Sequence, residues 1–179
     1  MDLRRALIAA ACLAAAIAAA QPPRALQQRV KAAYLTKFPA FVDWPAAAFA
    51  TPGSPIVIGV AGNDEIAREL DAAIAGREVA ERPLRVQRLS PGEPDNGCCH
   101  VLFVGGGADP AARLQLAGTQ GRAVLTVTDT PGTHPPGSVI NFQVVEDRMR
   151  FDISREAAEK NGLQLRAQLL AVARQVSAP

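Results

Sequence analysis

Three short apolar runs rich in β-branched residues constrain this chain more than any other feature. They are Ile56–Val60, Cys99–Val104 and Ala123–Thr128. Continuous runs of this length, without polar alternation, fit strands buried on both faces of a parallel sheet. The stretches between them carry helix signals. Asn63 or Asp64 caps a helix predicted over Asp64–Ala75, with Ile66, Leu70 and Ile74 at i+4 and Gly76 ending it. Asp109 caps a shorter one over Pro110–Ala117, with Pro110 in the first turn. A first helix is expected over Arg24–Phe41, where Leu26, Val30, Tyr34 and Phe38 recur on one face and Pro39 kinks or ends it.

Other segments alternate instead. Leu84–Leu89 sets Leu84 and Val86 against Arg85 and Gln87, which predicts a strand with one wet face near a sheet edge. A polar loop, Ser90–Gly97, follows. After the loop Thr130–Gly137, Val139–Val145 and Arg148–Ile153 alternate and are joined by Glu146 and Asp147, which predicts a hairpin. Ser154 caps a final helical stretch, broken near Asn161-Gly162, with Leu165, Leu169, Val172 and Val176 as its inner stripe. The expected fold is an α/β single-domain sandwich. Its sheet is mixed and mostly parallel, with helices on both faces and a C-terminal β-hairpin plus helix.

The N-terminus reads as an address. Arg4 and Arg5 precede the apolar run Ala6–Ala18, and Ala18-x-Ala20 offers a cleavage site before Gln21. Residues 1–20 are therefore expected to be a signal peptide and 21–179 the mature domain, exported and not membrane-spanning after cleavage. The run is too short to cross a bilayer. A formal net charge of +2 gives no general field for nucleic acid.

Export raises the question of the adjacent pair Cys98 and Cys99. Neighbouring cysteines close only a tight ring, with Cα atoms nearer than the usual 4.4–6.8 Å. The expectation is two small buried residues; an interchain bond and a vicinal disulfide are the alternatives. Either way the pair stands as a redox candidate.

Two glycine turns follow buried strands: Gly59, Gly62 and Asn63 after the first, and Gly105, Gly106 and Gly107 after the second. Loops at the carboxyl ends of parallel strands bind ligands in open α/β sheets, so these are candidate ligand loops. The competing reading is tight turns that need positive φ. Neither loop completes a dinucleotide fingerprint or a phosphate-binding loop. No nucleophile elbow occurs, His100 and His134 lack partners at metal spacing, and Cys-Cys-His cannot close on one ion. The residues point to no catalytic residue, no cofactor and no metal.

Aromatic residues cluster instead. Tyr34, Phe38, Phe41, Trp44 and Phe49 fall within one short window. Tyr34 and Phe38 suit a helix's inner face. Phe41, Trp44 and Phe49 follow the Pro39 kink and are candidates for a partner-binding surface.

The chain resembles the YfiR family. KAAYLTKFPAFVDWP (31–45) is similar to the family's opening helix and its aromatic–acid–Trp–Pro ending. IVIGVAGND, GREVAERPLRV, CHVLFVG, VLTVTDTPG and GSVINFQVVEDRMRFDISREAAEKNGLQL resemble its later signatures in the same order. The resemblance implies a periplasmic domain that restrains an inner-membrane diguanylate cyclase, and so cyclic di-GMP signalling and biofilm formation. It implies an outer-membrane lipoprotein as a second partner. A homodimer is a further expectation. Cys99 matches the family's Cys-His, but no separated partner cysteine occurs. A stand-alone solute-binding or sensor-input domain is the alternative.

Overall fold

The computed structural model describes residues 24–106 and 109–177. Helix α1 (Arg24–Leu35) leads into a 3-10 turn (Phe38–Phe41), strand β1 (Val42–Asp43) and a second 3-10 turn (Ala46–Ala48). Then come β2 (Ile56–Ala61), α2 (Asp64–Ile74), β3 (Glu78–Val79), β4 (Arg82–Leu89), β5 (Val101–Val104), α3 (Pro110–Ala117) and β6 (Leu125–Thr128). The hairpin β7 (Ile140–Val145) and β8 (Arg148–Ser154) is followed by α4 (Arg155–Lys160), β9 (Gln164–Leu165), α5 (Ala167–Val172) and β10 (Gln175–Ser177).

An eight-stranded sheet runs β10-β8-β7-β6-β5-β2-β4-β3. β4, β2, β5, β6 and β7 are mutually parallel, and β8 turns back antiparallel to β7, pairing Phe142 with Phe151. Chain order reverses between β2 and β5, which gives the 2-1-3-4-5 sequence of a flavodoxin-like sheet. The mixed, mostly parallel α/β domain is as the sequence predicts. Ile58, Val60, Val101, Phe103, Leu125 and Val127 sit in a core with α1 and α2. Leu102, Val104 and Leu89 face α3 across a smaller core. Glu146 and Asp147 turn the β7–β8 hairpin with φ of 49° and 58°, the backbone a two-residue primed turn requires.

Three expectations change. The first helix stops at Leu35, because Pro39 has no N–H to donate and its ring would meet the carbonyl four residues back. Leu26, expected inside, is 48 % exposed, while Gln28 and Lys31 are buried. Lys31 Nζ donates to Asp129 at 2.7 Å and Asn63 Nδ2 approaches Gln28 Oε1 at 3.5 Å, so polar partners claim that face. The final helical stretch is also cut up. Leu165 pairs with Val42 between β9 and β1, Leu169 is buried in α5, and Val176 lies in edge strand β10 beside β8. Val172 is 64 % exposed. A single helix cannot serve those separate strand partners.

Opposite the aromatic core, Asn141 is buried rather than wet. Its Oδ1 accepts from Thr128 Oγ1 and Thr130 N, and its Nδ2 donates to the Thr130 and Thr133 carbonyls. One side chain thus pins the Pro/Gly loop that closes β6 to β7. His134 is partly buried there, with Nε2 2.7 Å from the Ser138 carbonyl.

Candidate partner-binding groove

The chain after α1 is held in an irregular path by long-range contacts. β1 is clamped to β9, and Arg166 fixes the clamp: its Nε donates to Asp43 Oδ1 at 2.9 Å and its Nη1 to the Ala40 carbonyl at 3.1 Å. Trp44 follows directly, half-buried, with Nε1 donating to the Pro39 carbonyl at 3.3 Å. The next turn brings Phe49 edge-on to Trp44, ring centroids 6.2 Å apart.

His100 supports both rings. It stacks on Phe49 at 4.5 Å and meets Trp44 edge-on at 5.9 Å. Its Nδ1 accepts from the Val57 N–H at 3.2 Å, which leaves Nε2 as the N–H that donates to the Ala48 carbonyl at 3.0 Å. Burial holds the imidazole pKa below its ordinary value and the Arg82 charge adds to this, against the opposing hydrogen bond to Ala48. A neutral ring suits the acceptor role of Nδ1. The Arg82 guanidinium carbon lies 3.8 Å from the Phe49 ring centre. Its Nη1 donates to the carbonyls of Thr51 and Ser54 at 3.0 and 2.9 Å.

Trp44, Phe49, Arg82, Arg166 and Asp43 line an open groove of about 700 Å3, together with Pro39, Pro45, Pro52 and Val79; His100 supports the rings without lining it. That size falls within the range of ligand clefts. Apolar rings, proline surface and two guanidinium groups suit binding. The lining offers contacts to apolar and anionic groups.

Trp44 and Phe49 are brought together as the sequence suggests. Phe41 does not line the groove; it packs against the main core, and its carbonyl accepts the Arg166 N–H. Arg82 and Arg166 were missed as groove residues, and His100 as the ring that supports Trp44 and Phe49. Only the Arg82-Pro83 start of a strand hinted at an anchored arginine, since the rings these side chains serve lie far away in sequence.

The glycine loops meet at the reversal between β2 and β5 and pack on each other, while Gly62 and Asn63 also line a cleft of about 410 Å3 with Asp64, Arg88, Ser90 and Pro91. A Cβ at Gly105 would lie 2.9 Å from the Gly62 carbonyl oxygen, and Gly105 N donates to Ala61 O. Gly62 and Gly106 have φ of 71° and 66°, and a Cβ on Gly106 would meet the Asp109 carboxylate at 2.7 Å. Asn63 caps α2 by accepting the Ile66 N–H. Gly59 lies within β2, where Cys99 Sγ fills the space a side chain would need. Gly107, like the leader 1–20, lies outside the described residues.

Cys98 and Cys99 form a disulfide, which corrects the expectation of two separate small residues. The strand expected from Cys99 starts instead at Val101. The pair therefore sits in a turn, where side chains are not forced to opposite faces. Cys98 N donates to Asp95 O at 2.8 Å, and Arg122 grips the Asp95 carboxylate with Nη1 and Nη2. Asp95, Cys98 and Cys99 have metal-ligand spacing, but both sulfurs are spent in the disulfide and the carboxylate is engaged by Arg122.

The domain is a flavodoxin-like sheet with an aromatic–arginine groove at the amino ends of β2 and β4, the end away from the glycine turns. No helix among the described residues is long and apolar enough to cross a membrane. The chain belongs to the YfiR/HmsC-like family, whose model matches residues 28–174. Comparison with curated proteins gave no match.

Proposed function

We propose that this protein is a periplasmic regulator, not an enzyme, that restrains an inner-membrane diguanylate cyclase through the Trp44–Phe49 groove. The observation that carries the reading is the family match across residues 28–174, nearly all of the described domain. The groove supports it: a half-buried Trp beside arginine is the side-chain chemistry that dominates protein interfaces. An outer-membrane lipoprotein is the second partner in this reading, withdrawing the regulator from the cyclase. The solute-binding alternative would use the cleft of about 410 Å3 at Gly62 and Asn63, and the family match favours the regulator over it.

The test compares a gene deletion with Trp44→Ala. Deletion raises cellular cyclic di-GMP. Truncating a central aromatic anchor costs about 2 kcal/mol, roughly thirtyfold in affinity, so folded Trp44→Ala raises it toward the deletion level. Unchanged cyclic di-GMP on deletion overturns the cyclase reading. A fully repressing, folded Trp44→Ala overturns the surface alone.

A further inference from the structure

Guanidinium groups in this fold are used in two ways. Arg174 presents Nε and Nη2 to Asp152, and Arg166 presents the same edge to Asp43. That edge is the fork that takes a carboxylate with two parallel hydrogen bonds. Arg82 is held as firmly: it is half-buried, its guanidinium carbon lies 3.8 Å from the Phe49 ring centre, and Nη1 is engaged by two carbonyls. Its Nε–Nη2 edge has no partner among the described residues. A guanidinium fixed by its other nitrogen and by an aromatic face has lost little rotamer freedom still to lose on binding.

We infer that Arg82 is a pre-oriented carboxylate receptor, and that the groove docks an extended acidic segment of the partner protein. One aspartate or glutamate of that segment lies on the Arg82 fork, and a neighbouring apolar side chain lies on Trp44 and Phe49. Charge complementarity selects this occupant. Asp43, the groove's own carboxylate, is committed to Arg166, so the groove presents unmatched positive charge above an apolar floor. Its open wall, lined from Pro39 to Arg82, suits a chain segment better than an enclosed solute. This assignment rests on the groove being the regulatory surface, and its binding test does not depend on the cyclase.

Trp44 is the sole tryptophan, so its emission reports the groove directly. The exported protein, at low salt, is titrated with the peptide acetyl-Leu-Glu-Pro-Leu-Glu-amide, with its Gln counterpart, and with glutarate. Saturable change is expected with the acidic peptide and at least tenfold weaker binding of the Gln peptide. Arg82→Gln loses at least tenfold in affinity for the acidic peptide. Arg82→Lys, which keeps the charge but not the fork, loses a similar factor, while Arg88→Gln, whose guanidinium pairs with Asp71 elsewhere, binds as the wild type. Melting curves confirm that each variant is folded. Equal binding of the two peptides, no saturable response, or undiminished binding by folded Arg82→Gln and Arg82→Lys overturns the assignment. Glutarate matching the acidic peptide overturns the partner-segment occupant in favour of a small anion. In cells, Arg82→Gln raises cyclic di-GMP. Peptide binding that depends on Arg82, with no effect of gene deletion, sinks the cyclase reading and leaves the receptor standing.

Discussion

Gly59 gives the sharpest test of how the disulfide is packed. A methyl group at this position would lie 2.6 Å from Cys99 Sγ and 3.0 Å from Leu102 Cδ1. Both neighbours are buried, and Gly59 belongs to β2, paired on both sides by β4 and β5, so the backbone has little room to yield. Overpacking a closed site costs about 1–3 kcal/mol. At roughly 2–4 °C per kcal/mol for a chain of this size, Gly59→Ala lowers the melting midpoint by about 2–12 °C. Replacing the pair by Cys98→Ser with Cys99→Ala removes the nearest atom. That double change alone costs little: a loop of two residues constrains the unfolded chain by only about 1 kcal/mol, and the buried sulfur adds a similar amount. Gly59→Ala introduced into that background recovers more than half of its own cost, because only the Leu102 contact and an ordinary 3.4 Å contact to the Cβ of residue 99 remain. The assay is circular-dichroism melting of the four proteins as a double-mutant cycle. A coupling near zero, with Gly59→Ala equally costly in both backgrounds, would refute the packing argument.

His100 makes stability depend on acid. Its folded pKa is held below the ordinary value of about 6.5, so the unfolded chain binds the proton more tightly. The stability it confers is complete above that ordinary value and is lost as pH falls through the folded one. Urea midpoints should therefore drop below about pH 6.5, and His100→Gln should flatten that part of the profile; an unchanged slope counts against it. Lys31 and Asp129 form a pair with 9 % and 16 % exposed side chains, so Asp129→Ala strands a buried ammonium and costs about 3 kcal/mol by urea denaturation. Lys31→Met with Asp129→Leu should recover most of that loss. N-terminal sequencing of the exported protein should begin at Gln21, and a full-length membrane-bound product would defeat the signal-peptide reading.

The sheet was legible because its strands announce themselves locally. Ile56–Val60 and Cys99–Val104 carry unbroken apolar character, and the Glu146-Asp147 hairpin is bounded by clean alternation. What stayed hidden was set by distant partners. Leu165, Leu169, Val172 and Val176 have helical spacing, yet Leu165 answers to Val42 and Val176 to Ile153. Lys31 is buried against Asp129, 98 residues away, a partner that no local pattern reveals. The site was half legible for the same reason. Trp44 and Phe49 are close in sequence and were found together. Arg82 and His100, which orient them, come from separate strand edges, and no local pattern links an arginine before Pro83 to a ring at position 49. The two glycine loops were rightly placed at one end of the sheet. Their mutual contact depends on the spacing of β2 and β5, which no single loop encodes.

The Arg166–Asp43 clamp joins residues separated by 123 positions. A chain delivered N-terminus first therefore exposes Trp44 long before the wall beside it exists. Until Arg166 and β9 arrive, nothing holds β1 in place, and the rings stand on an unanchored segment. If the groove is the regulatory surface proposed above, partner recognition is timed to the end of delivery: a truncated or half-threaded chain displays no finished groove and cannot occupy a receptor.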